Sequence, residues 1–157
     1  RADEMVRLGD LSRAGIAWSL HSDMPMAPAD PLFLMWCAVN RLTVSGRVAG
    51  PEQRVSAEQA LRGVTIEAAY SLKLEDEVGT ISPGKRANFT VLTDSPLSVD
   101  PLKIRDITVW GTVMEGRVLP AVQRQAKKAE LSPAAPASPE FPREALRHAL
   151  KVAHAFD

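Results

Sequence analysis

The chain has 157 residues, with 19 basic and 19 acidic side chains, a length at which one sizeable core can form. That balance of charge leaves no long-range field to gather nucleic acid, anionic lipid or acidic substrates. No apolar run approaches the roughly 20 residues that span a bilayer, no basic-then-apolar leader opens the chain, and the single cysteine allows no disulfide framework; a soluble, cytoplasmic protein without membrane or nucleic-acid partners is expected.

The chain opens Arg1-Ala2-Asp3-Glu4, and Met5 to Leu11 already carries apolar Met5, Leu8 and Leu11 at helical spacing. A chain entered midway, part of a longer one, is the expectation. Gly15 stands where a helix stops, and Ile16-Ala17-Trp18-Ser19-Leu20 predicts a short strand. Being apolar on both faces, it resembles a strand inside a parallel sheet, which needs neighbours on both sides. His21-Ser22-Asp23 follows at its carboxyl end, and a loop from Met24 to Ala29 leads to Asp30-Pro31, a helix cap followed by proline in the first turn.

A helix is predicted from Pro31 to about Ser45 and a second from Ser56 to about Leu72. The second opens on the capping box of Ser56 and Gln59 and carries Ala60, Leu61, Val64 and Ala68 as an apolar stripe. Cys37, inside the run from Leu32 to Val39, reads as a small buried thiol, with a reactive thiol as the alternative. Trp18, Trp36 and Trp110 read as core residues.

From Val78 the period changes. A turn at Ser82-Pro83-Gly84-Lys85 precedes a strand from Ala87 to Leu92. Further strands are predicted from Ile104 to Met114 and from Arg117 to Leu119, joined tightly at Glu115-Gly116. The stretch 121–142 reads as a proline-rich linker and 143–157 as a C-terminal helix. His148 and His154 would lie roughly 240° apart round such a helix, so they read as surface residues rather than a metal pair.

The series His21-Ser22-Asp23, Asp30-Pro31-Leu32, Pro51-Glu52-Gln53-Arg54, Ala60-Leu61-Arg62 and Gly79-Thr80-Ile81-Ser82-Pro83-Gly84-Lys85-Arg86-Ala87-Asn88-Phe89 resembles, in order and spacing, the amidohydrolase superfamily and its amidohydrolase-3 branch. The likeness runs from about Met5 to Leu119. It implies an α/β protein: 1–75 as the last strand and helices of a (β/α)8 TIM barrel, and 76–120 as part of a small β-sandwich domain. It also implies a divalent metal, zinc by expectation, as one or two ions in the intact enzyme. Asp23 matches the aspartate after the last barrel strand, which contacts the metal and accepts the proton of the attacking water. Chemically, a metal brings water's pKa towards neutrality, and a nearby carboxylate takes the proton and passes it to the leaving amine.

The resemblance implies hydrolysis of a carbon–nitrogen bond in an amide, carbamate or cyclic amide. The family's remaining metal ligands have no counterparts in this chain, so the isolated chain is expected to be inactive. Asn88 stands where the family usually has aspartate, a position outside the catalytic site. His21, Met24 and Met26 are the candidate substrate-binding residues; the plainer readings are a structural hydrogen bond for His21 and gap filling for the methionines. For Asp23 the plainer reading is a loop aspartate satisfying backbone amides, and Asp30 is foremost a cap. Unpaired edges predict a homo-oligomer, or a missing N-terminal portion that completes the barrel. The competing function is a non-catalytic oligomerising or interaction module.

Overall fold

The computed structural model describes residues 2–121, so the linker expected beyond Ala121 and the C-terminal helix with His148 and His154 lie outside the described residues. The chain divides into two compact units, one built from 1–86 and 94–108, the other from 87–93 and the chain from 109 onward. Together they hold short helices and one small antiparallel sheet.

In the first unit α1 spans Leu8–Arg13, later than the sequence pattern predicts, because Val6 takes a left-handed backbone (φ 51°) that a right-handed helix cannot include. Arg7 and Arg13 flank Asp10 at i,i+3 spacing and both pair with it. Gly15, at φ 67°, stops the helix as expected. Residues 16–20 form no strand: Ile16 N–H donates to Leu11 O and Leu20 N–H to Gly63 O, and no ladder joins this stretch to another. A strand exists only by pairing, and among the described residues none lies against it. Trp18 is held instead by its side chain, whose Nε1 donates to Ser12 Oγ at 2.9 Å.

α2 spans Pro31–Asn40, capped by the Asp30 carboxylate, which accepts from the Phe33 amide. It ends well before Ser45 because Arg41 turns left-handed (φ 52°) and spends its guanidinium on the carbonyls of Ala49, Val6 and Met5. The chain then reverses, with an isolated bridge between Leu42 and Val48. Instead of one helix from Ser56 to Leu72 there are two, α3 at Ala57–Gly63 and α4 at Ile66–Ser71. The capping box at Ser56 and Gln59 forms as predicted. The break falls at Thr65 (φ −126°, ψ −97°), just after Gly63 and Val64. Gly63 has no room for a side chain, since a Cβ there would stand 2.5 Å from Trp18 Cζ3.

Met35 and Ile104 are the largest side chains with almost no exposure, and they centre this unit's core. Ile104 belongs to a 3-10 helix at Pro101–Asp106, capped by Asp100, so the strand predicted from Ile104 begins only at Val109. This helix packs on α2: Trp36 Nε1 donates to Leu102 O at 3.1 Å, and the Arg105 guanidinium lies 4.3 Å from the centre of the Trp36 ring.

In the second unit β1 (Phe89–Leu92), β2 (Val109–Met114) and β3 (Arg117–Pro120) form a sheet in that order, both pairs antiparallel. The turn at Glu115-Gly116 has positive φ at both residues, 50° and 80°, the twist that a two-residue hairpin loop needs. Asn88 Oδ1 accepts from the Glu115 amide at 2.8 Å, so this residue serves the hairpin. Among the described residues no helix is long and apolar enough to cross a membrane.

Candidate functional site

The loop from His21 to Asp30 connects the stretch 16–20 to α2, and both of its ends are fixed. At one end Leu20 N–H is tied to Gly63 O at 3.0 Å. At the other Asp30 caps α2. Between them Asp23 takes a left-handed backbone with φ 52°, which asparagine and aspartate tolerate better than most residues with a Cβ. Its carbonyl accepts from the Met26 amide at 2.8 Å, closing a turn. Its amide donates to His21 Nδ1 at 3.2 Å.

This arrangement brings His21 and Asp23 together, and both side chains are exposed. Met24 and Met26 are exposed too, Met26 to 82%, so in this chain they stand in solvent rather than enclosing a space. Asp30 is occupied as a cap. Cys37 is half-buried, and burial pushes its thiol up from the ordinary value, with a smaller opposing effect from the Arg105 charge. This suits the packing reading of Cys37 rather than the reactive one.

An open groove of about 280 Å³ lies elsewhere in the first unit, between the end of α1, the stretch 15–18 and the α3–α4 break. Trp18, Arg62 and Glu67 line it, and Arg62 pairs with Glu67 at 2.7 Å. None of His21, Asp23, Met24 and Met26 is among its lining residues. Sequence reasoning did not find this groove, because Arg62 and Glu67 face each other only across a helix break that the apolar stripe hides.

Among the described residues no three of histidine, cysteine, aspartate and glutamate stand close enough to hold a metal ion. Structural and catalytic zinc sites take three or four protein ligands, and Asp23 with His21 supplies two at most. The residues present therefore do not make a metal site by themselves.

The family model described as amidohydrolase family matches residues 1–120. The N-substituted formamide deformylase of Arthrobacter pascens is 38% identical over 103 residues, which is 66% of this chain and 19% of that protein. A Bacillus subtilis (strain 168) protein, YtcJ, which carries amidohydrolase in its name, is 31% identical over 109 residues, 67% of this chain and 20% of its own length. Protein LONG AFTER FAR-RED 3 of Arabidopsis thaliana is 38% identical over 76 residues, 48% of this chain and 13% of its own. The chain thus spans about a fifth or less of the length of these relatives. No solved structure matches it.

Proposed function

The chain belongs to the amidohydrolase family, and from that premise we propose that it is the C-terminal part of a metal-dependent enzyme that hydrolyses a carbon–nitrogen bond. The bond is that of an amide, carbamate or cyclic amide. The observation that carries the reading is the 38% identity over 103 residues to a protein whose name describes removal of a formyl group from nitrogen. In this reading 1–75 end a (β/α)8 barrel, 76–120 contribute to a small β-sandwich, and the lone cysteine fits the reducing cytoplasm.

Asp23 is the proposed catalytic carboxylate. It takes a proton from the water that adds to the carbonyl carbon. It then delivers that proton to the nitrogen as the carbon–nitrogen bond breaks, leaving an acid and an amine. Its place in a turn fixed at both ends supports this role, since a carboxylate that must meet one water gains from a backbone that does not wander. His21, Met24 and Met26 remain the proposed substrate contacts, once the rest of the enzyme encloses the loop. The metal, zinc by preference, as one or two ions, would draw most of its ligands from the part of the relatives' length that this chain does not span.

The test is an assay of the intact protein against N-substituted formamides, amides, carbamates and cyclic amides, with Asp23→Asn beside it. We expect turnover on at least one class, and a loss of about 10²–10⁴ in kcat for Asp23→Asn with an unchanged circular dichroism spectrum. Undiminished turnover in that variant removes Asp23 from the mechanism.

A second reading, a non-catalytic association module, is favoured by the stretch 16–20. Among the described residues it joins no sheet, and Ile16 is 54% exposed. Unpaired apolar edges recruit other chains, so the isolated chain should form a homo-oligomer or seek the missing portion of the barrel. Size-exclusion chromatography with light scattering decides, and a stable monomer at high concentration counts against this reading.

A further inference from the structure

We infer that His21 is a positioning residue for Asp23, acting through the imidazole tautomer that carries its proton on Nε2. The inference rests on the proposed role of Asp23 and adds how its carboxylate is presented. Asp23 has a left-handed backbone (φ 52°), a conformation that aspartate tolerates better than most residues with a Cβ and that contacts on either side can hold. Two contacts hold it here, one on each side of the residue. The carbonyl accepts from Met26 N–H at 2.8 Å, and the amide donates to His21 Nδ1 at 3.2 Å. With both ends tied, the direction of the Cα–Cβ bond is set before any substrate arrives.

The donor in the second contact is the Asp23 amide, so Nδ1 must offer a lone pair, and in the neutral ring the proton then sits on Nε2. A protonated nitrogen has no lone pair for a metal ion. While this bond holds, His21 serves the loop as an acceptor on one edge and keeps an N–H donor on the other, and it is not a metal ligand. The residue type matters here because the acceptor must reach an amide two residues along the chain. Nδ1, on the near side of the ring, does so.

The experiment is nuclear magnetic resonance on the ¹⁵N-labelled 157-residue chain. We expect a scalar coupling across the hydrogen bond between the Asp23 amide nitrogen and His21 Nδ1. His21→Ala should abolish it and speed exchange of the Asp23 amide with water about tenfold, the factor for one bond of ordinary net strength. His21→Asn, whose Oδ1 falls near the place of Nδ1, should restore slow exchange. His21→Gln, whose polar group reaches towards the place of Nε2, should not. The comparison of the last two carries the test even if His21→Ala loosens the whole loop.

No coupling in the unsubstituted chain, an unchanged exchange rate in His21→Ala, or equal rates in His21→Asn and His21→Gln overturns the inference. None of these readouts involves turnover. Their failure sinks the positioning role alone, and the Asp23→Asn assay decides the chemistry of Asp23 separately.

Discussion

Asp10 shows how a single half-buried side chain ties distant parts of the first unit together. Its carboxylate accepts from Arg7 Nε at 2.6 Å and pairs also with Arg13, while its amide donates to Gln53 Oε1 at 3.0 Å. Hydrogen bonding from the Gln53 side chain, then from Arg7 and Arg13, holds its carboxyl below the ordinary 3.8. Asp3 is lowered in the same sense, first by the Arg47 side chain and then by the Gly50 amide. A carboxyl whose folded pKa is depressed adds stability that is fully present above the unfolded value and is lost as pH falls through the folded one. The loss should therefore begin near pH 3.8 and deepen below it. In Asp10→Asn the urea midpoint should fall less steeply over that acid range than in the unsubstituted chain. An identical pH profile would show that these pairs add nothing, as many exposed ion pairs do. The i,i+3 spacing of Arg7, Asp10 and Arg13 is visible in the sequence. Gln53 is 43 positions from Asp10, and no local pattern announces such a contact.

At the scale of elements, the beginnings of α2 and α3 were legible and the end of α2 was not. Asp30-Pro31 and the box of Ser56 and Gln59 announce their helices because a cap is a local hydrogen bond between residues three apart. The end of α2 depends on contacts that are not local. Arg41 leaves the helix to bind the carbonyls of Met5 and Val6. Asn40, 6% exposed, donates through Nδ2 both to Trp36 O within the helix and to Pro101 O at 2.9 Å. That second bond joins α2 to the 3-10 helix at Pro101–Asp106, whose last residues, from Ile104, the apolar pattern assigns to the start of a strand. Asn40→Ala removes both bonds and leaves the Pro101 carbonyl without this partner. The expected cost is about 1–3 kcal/mol, read as a lower denaturant midpoint at constant slope. A change under about 0.5 kcal/mol, the usual range for surface substitutions, would mean that the packing of Trp36 and Ile104 holds the two elements together without Asn40. The split of the predicted helix 56–72 has the same origin, because Gly63 is set by the Trp18 ring against it, not by its neighbours in sequence.

For the molecule as a whole, family membership was legible because the motifs that carry it keep their order and spacing over residues 1–120, whereas the site needs groups that the chain does not bring together. Asp23 and His21 meet because they are two residues apart, and among the described residues no group of three histidine, cysteine, aspartate or glutamate side chains forms that could hold a metal ion. The remaining histidines, His148 and His154, lie outside the described residues. Zinc held by two protein groups keeps too many waters to bind tightly, and a site with three or four ligands is what makes binding stoichiometric. The 157-residue chain, titrated with zinc by calorimetry, should therefore show weak binding without a defined stoichiometry and no hydrolysis of the amide panel, whereas the intact protein should retain zinc through dialysis. One tightly bound zinc and turnover in the isolated chain would mean that the cage is complete without the rest of the enzyme. Asp23 would then no longer be one corner of a site shared with distant sequence, and the proposed division of the catalytic machinery would fall with it.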